Sequence, residues 1–182
     1  MESVVFRIFL FCLVFSLAAC EKENVPVEVT LPEEVAFGTS EVYLNGTHMP
    51  AYQNQFSYNS GSKNNGFSFY EDLRPGFSNS VSFGWMPLRE GRYPIGKPGV
   101  LHEIATANFS QVINEDEFGY KYTLIEPENG YFHITYLDTI NKEVKGHFKA
   151  KFRRTSKNGY KDSNLPKVLL YQGVFYDNYT HY

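Results

Sequence analysis

Cysteine is nearly missing from this chain. Among its 182 residues only Cys12 and Cys20 carry a thiol, and none follows position 20. Whatever folds downstream can have neither a disulfide framework nor a cysteine-ligated zinc site. No apolar run reaches the roughly 20 residues of a comfortable transmembrane helix. The net charge is −3, so there is no basic excess of the kind that marks a nucleic-acid partner. There is no Gly-x-Ser-x-Gly elbow and no phosphate-binding glycine loop. The five histidines, His48, His102, His133, His147 and His181, include no His-x-x-x-His pair. No segment keeps a 3.6-residue period over three turns, which argues against long amphipathic helices.

What the chain does have begins at its N-terminus. Residues 1–7 are weakly basic, residues 8–15 are apolar, and Ser16-Leu17-Ala18-Ala19 supplies small residues ahead of Cys20. This is the n-region, h-region and cleavage layout of a secretory signal. Leu17-Ala18-Ala19-Cys20 resembles the lipobox of bacterial lipoproteins. That resemblance implies a signal peptide over 1–19, acylation of Cys20, and the lipid bilayer as partner through the acyl chains, each buried methylene contributing about 0.8 kcal/mol. Residues 20–37 then read as a lipidated cysteine and tether. Pro26, Pro32 and several acidic residues discourage a helix there, and Val25, Val27 and Val29 alternate as a short edge strand could. Its expected job is to space the domain from the membrane.

Residues 38–182 read as one all-β domain. About nine or ten short strands with turn chemistry between them predict an antiparallel sandwich or barrel. Asn45-Gly46 is a strong hairpin turn, with residues 51–58 expected as the returning strand. Phe67, Phe69 and Leu73 should share one face, as should Val81, Phe83 and Trp85, and Phe132, Ile134 and Tyr136. Proline and glycine make 87–99 an irregular crossover with a short strand around Tyr93. The clearest strand spans 144–153, where Val144, Phe148, Ala150 and Phe152 alternate with Lys145, His147, Lys149, Lys151 and Arg153. Aromatics make up 17% of the chain, enough for a strand-built core and for wet tyrosines on its surface.

Three short pieces carry a wider resemblance. Val42-Tyr43-Leu44-Asn45-Gly46, Gly146-His147-Phe148-Lys149-Ala150 and Gly173-Val174-Phe175 together resemble small cell-envelope lipoproteins of uncharacterised function from Bacteroidota. The chain departs from them at His48-Met49-Pro50-Ala51, where members often place a tryptophan. The resemblance implies an all-β domain in the envelope, lipid-anchored at the outer membrane. It brings no catalytic residues. It also implies that Asp138-Thr139-Ile140 is an O-glycosylation acceptor at Thr139, and that Glu21 and Glu23 beside Cys20 are an export signal to the surface.

The candidate chemistry is sparse. His133 and His147 fall on neighbouring predicted strands and could form a two-histidine site with Asp138. Glu115-Asp116-Glu117 could take a hard cation, although it lacks a calcium-loop pattern. Carboxylates for glycoside hydrolysis could come from Glu71, Asp72, Glu103, Glu126 and Glu128, and nothing selects a pair. Lys145, Lys149, Lys151 and Arg153 form a basic face suited to an anionic partner, or simply a solvated face that discourages edge pairing. No cofactor is implied. The expected function is a non-enzymatic envelope lipoprotein binding a glycan or an outer-membrane protein. The alternatives are a small envelope glycoside hydrolase and a structural subunit of a surface assembly.

Overall fold

The computed structural model describes residues 25–50, 52–59, 64–74, 77–96, 104–113, 117–125, 130–156 and 165–181. Among these there are thirteen strands and no helix. In chain order they are β1 (Thr39–Leu44), β2 (Thr47–Met49), β3 (Tyr52–Asn59), β4 (Asn64–Arg74), β5 (Phe77–Gly84), β6 (Gly91–Pro94), β7 (Thr106–Ile113), β8 (Glu117–Phe118), β9 (Lys121–Leu124), β10 (Tyr131–Asp138), β11 (Glu143–Ser156), β12 (Val168–Asn178) and β13 (Thr180–His181). They build two sheets. One runs β2-β1-β12-β11-β10-β6, with β9 also on β11; the other runs β13-β3-β4-β5-β7-β8. Pairing is antiparallel except for β13 on β3. Neither sheet closes on itself, so the expected all-β domain is a sandwich and not a barrel.

Phenylalanine fills the space between the sheets. Phe67 and Phe69 of β4 and Phe83 of β5 meet Phe132 of β10 and Phe148 of β11. Ring centroids are 4.7 Å apart for Phe67–Phe132, 4.4 Å for Phe69–Phe148 and 4.8 Å for Phe83–Phe148. All five rings are buried. Burying each contributes about 2–3 kcal/mol. A second cluster of Phe109, Tyr122, Phe152 and Tyr171 extends the core.

The Gly-x-Phe pieces acquire a physical reason here. β11 and β12 pair so that Gly146 lies opposite Phe175 and Phe148 opposite Gly173. A Cβ on Gly173 would stand 2.6 Å from Cζ of Phe148, and one on Gly146 would stand 2.8 Å from Cζ of Phe175. Each glycine vacates the space that the ring across the ladder occupies.

Three expectations about strands need correction. Asn45 (φ 50°) and Gly46 (φ 85°) do make the turn, but the returning strand is β2, only three residues long. β3 instead crosses to the other sheet and pairs with β4. Trp85 does not join Val81 and Phe83 in the core. It has φ 66° just past the end of β5, which turns its ring outward to half exposure and leaves Met86 to fill the core. Tyr136 does not continue the face of Phe132 and Ile134. A bulge between Ile134 and Tyr136 adds one residue, so Tyr136 points outward opposite Lys145 and Leu137 takes the inward place.

Residues 25–36 form no strand. They lie across the outer face of the large sheet, antiparallel to β1, and enter it through a turn in which the N–H and Oγ1 of Thr39 both donate to the carbonyl of Ala36. The prolines explain why this valine-bearing segment adds no ladder. The signal segment 1–19 and Cys20 lie outside the described residues, as do Glu21 and Glu23.

Candidate functional site

The outer face of β6, β10, β11 and β12 gathers most of the polar chemistry. Lys145, His147, Lys149, Lys151 and Arg153 alternate outward from β11 as the sequence predicts, because Val144, Phe148, Ala150 and Phe152 are claimed by the core. Lys145 and Lys149 are engaged within the chain. Lys145 Nζ is 2.8 Å from Oε1 of Glu34, and Lys149 Nζ is 2.7 Å from Oε2 of Glu28. The bond from Lys145 holds the Glu34 carboxyl below its ordinary value. Between these ion pairs Gln172 grips the strap by its backbone. The Val29 N–H donates to Oε1 of Gln172 at 3.1 Å, and Nε2 of Gln172 donates back to the Val29 carbonyl at 3.4 Å. Beneath the strap is a cavity of about 450 Å³, lined by Tyr131, Thr135, Lys145, His147, Gln172 and Val174, with Leu31 and Pro32 on the strap side.

His133 and His147 do meet. They are directly opposite in the β10–β11 ladder, and Nδ1 of His133 lies 3.2 Å from Nε2 of His147. Burial lowers the pKa of both rings, and the Arg92 guanidinium lowers them further. Arg92 itself lies 3.9 Å over the Tyr131 ring. Both effects favour the neutral rings, in which one imidazole N–H donates to the other ring's nitrogen. Asp138 does not join them. It accepts from the N–H groups of Ile140 and Asn141 and from Nδ2 of Asn141, closing its own turn. These bonds, led by that of the Asn141 N–H, lower its pKa. Among the described residues no three metal-ligating side chains form a cluster.

Of the hydrolase candidates, only Glu71 and Asp72 fall among the described residues, and as neighbours on β4 they point to opposite faces. Glu71 is buried and its Oε2 accepts from Nδ2 of Asn79 at 3.0 Å, while Gln111 donates to Oδ1 of Asn79 at 3.2 Å. This row braces one end of the small sheet's inner face. Its neighbour Asp72 is exposed. Glu103, Glu126 and Glu128 lie outside the described residues, as do Glu115 and Asp116, and only the backbone of Glu117 is described.

One constellation was not anticipated. Phe37, Tyr136 and Tyr176 form a patch on the outer face, at the end where β12 and β10 run out. The Phe37 and Tyr176 rings are 5.1 Å apart, and those of Tyr136 and Tyr176 are 6.2 Å apart. Phe37 is 50% and Tyr136 40% exposed. Carboxylates border them. Tyr176 donates to Oε2 of Glu143 at 2.7 Å, and that bond raises its pKa to about 12. Glu143 is the ladder partner of Asp138. Thr139 opens the neighbouring turn and is exposed. The patch was hidden in the sequence because its three rings come from three separate elements, and because Tyr136 reaches it only through the bulge.

No family model, curated protein or solved structure matches this chain.

Proposed function

We propose that this protein is a lipid-anchored envelope lipoprotein, held at the outer membrane through Cys20, whose sandwich binds glycan on the Phe37, Tyr136 and Tyr176 patch. The observation that carries this reading is the patch itself. Aromatic faces offered to solvent accept the C–H faces of sugars, and tyrosine is suited to such half-wet contacts. Glu143 beside them accepts hydroxyl donors. Clustered apolar surface on an otherwise charged face is the mark of a binding site more than of ordinary exposure. The lipobox-like Leu17-Ala18-Ala19-Cys20 supports the anchor, and acylation of Cys20 would leave the mature domain without a thiol. An outer-membrane protein bearing the glycan is an equally accessible form of the same ligand. Exposed Thr139 is the proposed O-glycosylation position.

A glycan array probed with the wild-type protein and with Tyr136→Ala/Tyr176→Ala tests the reading. Loss of two such anchors is expected to weaken binding by about tenfold or more. Binding that the double variant leaves unchanged, or no binding to any glycan, rejects it.

A further inference from the structure

The strap and the anchor together fix which end of the sandwich faces the membrane. We propose that residues 25–36 are a docked strap and not a spacer, and that their docking holds the β1–β2 end of the domain against the bilayer surface. This rests on the acylation of Cys20 proposed above.

The attachment is distributed along the whole segment. Glu28 pairs with Lys149, Val29 is bonded twice by Gln172, and Glu34 pairs with Lys145. Val27 packs over the turn at Gly46, where an added Cβ would stand 3.0 Å from its own. The strap therefore leaves the domain at the Asn45-Gly46 turn. That turn is itself fastened, since the Asn45 amide donates to the Val168 carbonyl at 3.0 Å and accepts from the Leu170 N–H at 2.6 Å.

Reach then decides the orientation. Five residue steps separate Cys20 from Val25, so an acylated Cys20 lies within about 18 Å of it. A tether free as far as Gly38 would reach about 60 Å and leave the domain to tumble. At the exit, Val25 is 82% and Val27 59% exposed, beside exposed Thr47 and His48. Apolar side chains presented there suit the headgroup region of a bilayer, whereas in water they are only uncovered surface. The opposite end of the sheet, with Asn178, lies about 23 Å further along β12 from Tyr171, the ladder partner of Leu44. The glycan patch is at that far end, so docking also points it away from the membrane.

The acylated full chain in liposomes provides the test, with a donor dye on Thr47→Cys or on Asn178→Cys and an acceptor on lipid headgroups. Acylation consumes Cys20, so each introduced cysteine is the mature protein's single thiol. Energy transfer from position 47 should exceed that from position 178 by about twofold or more, given their separation along the sheet. Releasing the strap with Glu28→Lys, Glu34→Lys and Gln172→Ala should lower transfer from position 47 and remove the difference. Should that variant fail to fold, inserting about ten Gly/Ser residues after Lys22 lowers transfer from position 47 if the strap docks, and changes little if the tether is already loose. Equal transfer from the two positions in an acylated chain overturns this proposal alone. A chain with no lipid mass at Cys20 overturns the anchor with it.

Discussion

At the scale of single residues, the largest constraints come from atoms that are absent. Gly173 is needed because Phe148 occupies the place of its Cβ, with the Glu41 carbonyl 3.0 Å away on the other side. Gly173→Ala is expected to cost about 1–3 kcal/mol through overpacking, read as a lower midpoint in urea denaturation. A second change, Phe148→Leu, should partly rescue it, since the smaller side chain opens the same space. Trp85 shows the converse. A bulky residue at φ 66° is strained, and its ring is left half exposed. Alternation alone assigned Trp85 to the core, because the pattern cannot register that the strand ends at Gly84. The strand at 144–153 was legible at this scale because it is a local pattern. The Gly146–Phe175 and Gly173–Phe148 exchange was not, because it requires two strands and their register.

At the scale of elements, the strap of residues 25–36 lies on the sheet without adding the edge strand that its alternating valines allowed. Its acidic residues and prolines describe a solvated linker, and nothing local distinguishes a linker from a segment that finds lysines more than a hundred residues away. The two ion pairs are exposed on their carboxylate side and contribute little each, and less in high salt. Gln172 is buried, so its bonds to Val29 matter more. Gln172→Ala should cost about 1 kcal/mol and speed hydrogen exchange at the Val29 amide, while amides of the β11–β12 ladder stay protected. Unchanged exchange at Val29 would show that Gln172 does not hold the strap. The basic face thus looks different once folded. Lys145 and Lys149 are committed to Glu34 and Glu28, so the stripe seen in the sequence is not a face of free cations.

At the scale of the molecule, two sheets face each other across a phenylalanine core, and the outer face of the larger sheet carries the charged and aromatic surface. The His133–His147 pair makes folding stability depend on pH. Burial and Arg92 lower both folded-state values, so the unfolded chain takes up these protons first as pH falls. Stability is therefore full above about pH 6.5, the ordinary histidine value, and declines below it until the folded-state values are reached. The melting temperature should fall between pH 7.5 and about 5.5, and His133→Gln/His147→Gln should flatten that window. Glu34 and Asp138, whose values are lowered, contribute stability that is lost only at more acidic pH, below their ordinary values of 4.5 and 3.8. The sequence by itself determined the all-β class, the alternation of β11 and the Asn45-Gly46 turn, since each depends on neighbours within a few residues. Only the tertiary structure decided that the sheets stay open, that β3 leaves its expected partner, that residues 25–36 lie down on the lysines, and that Phe37, Tyr136 and Tyr176 meet. Those outcomes depend on register, on a one-residue bulge and on contacts between distant segments, which no local pattern encodes.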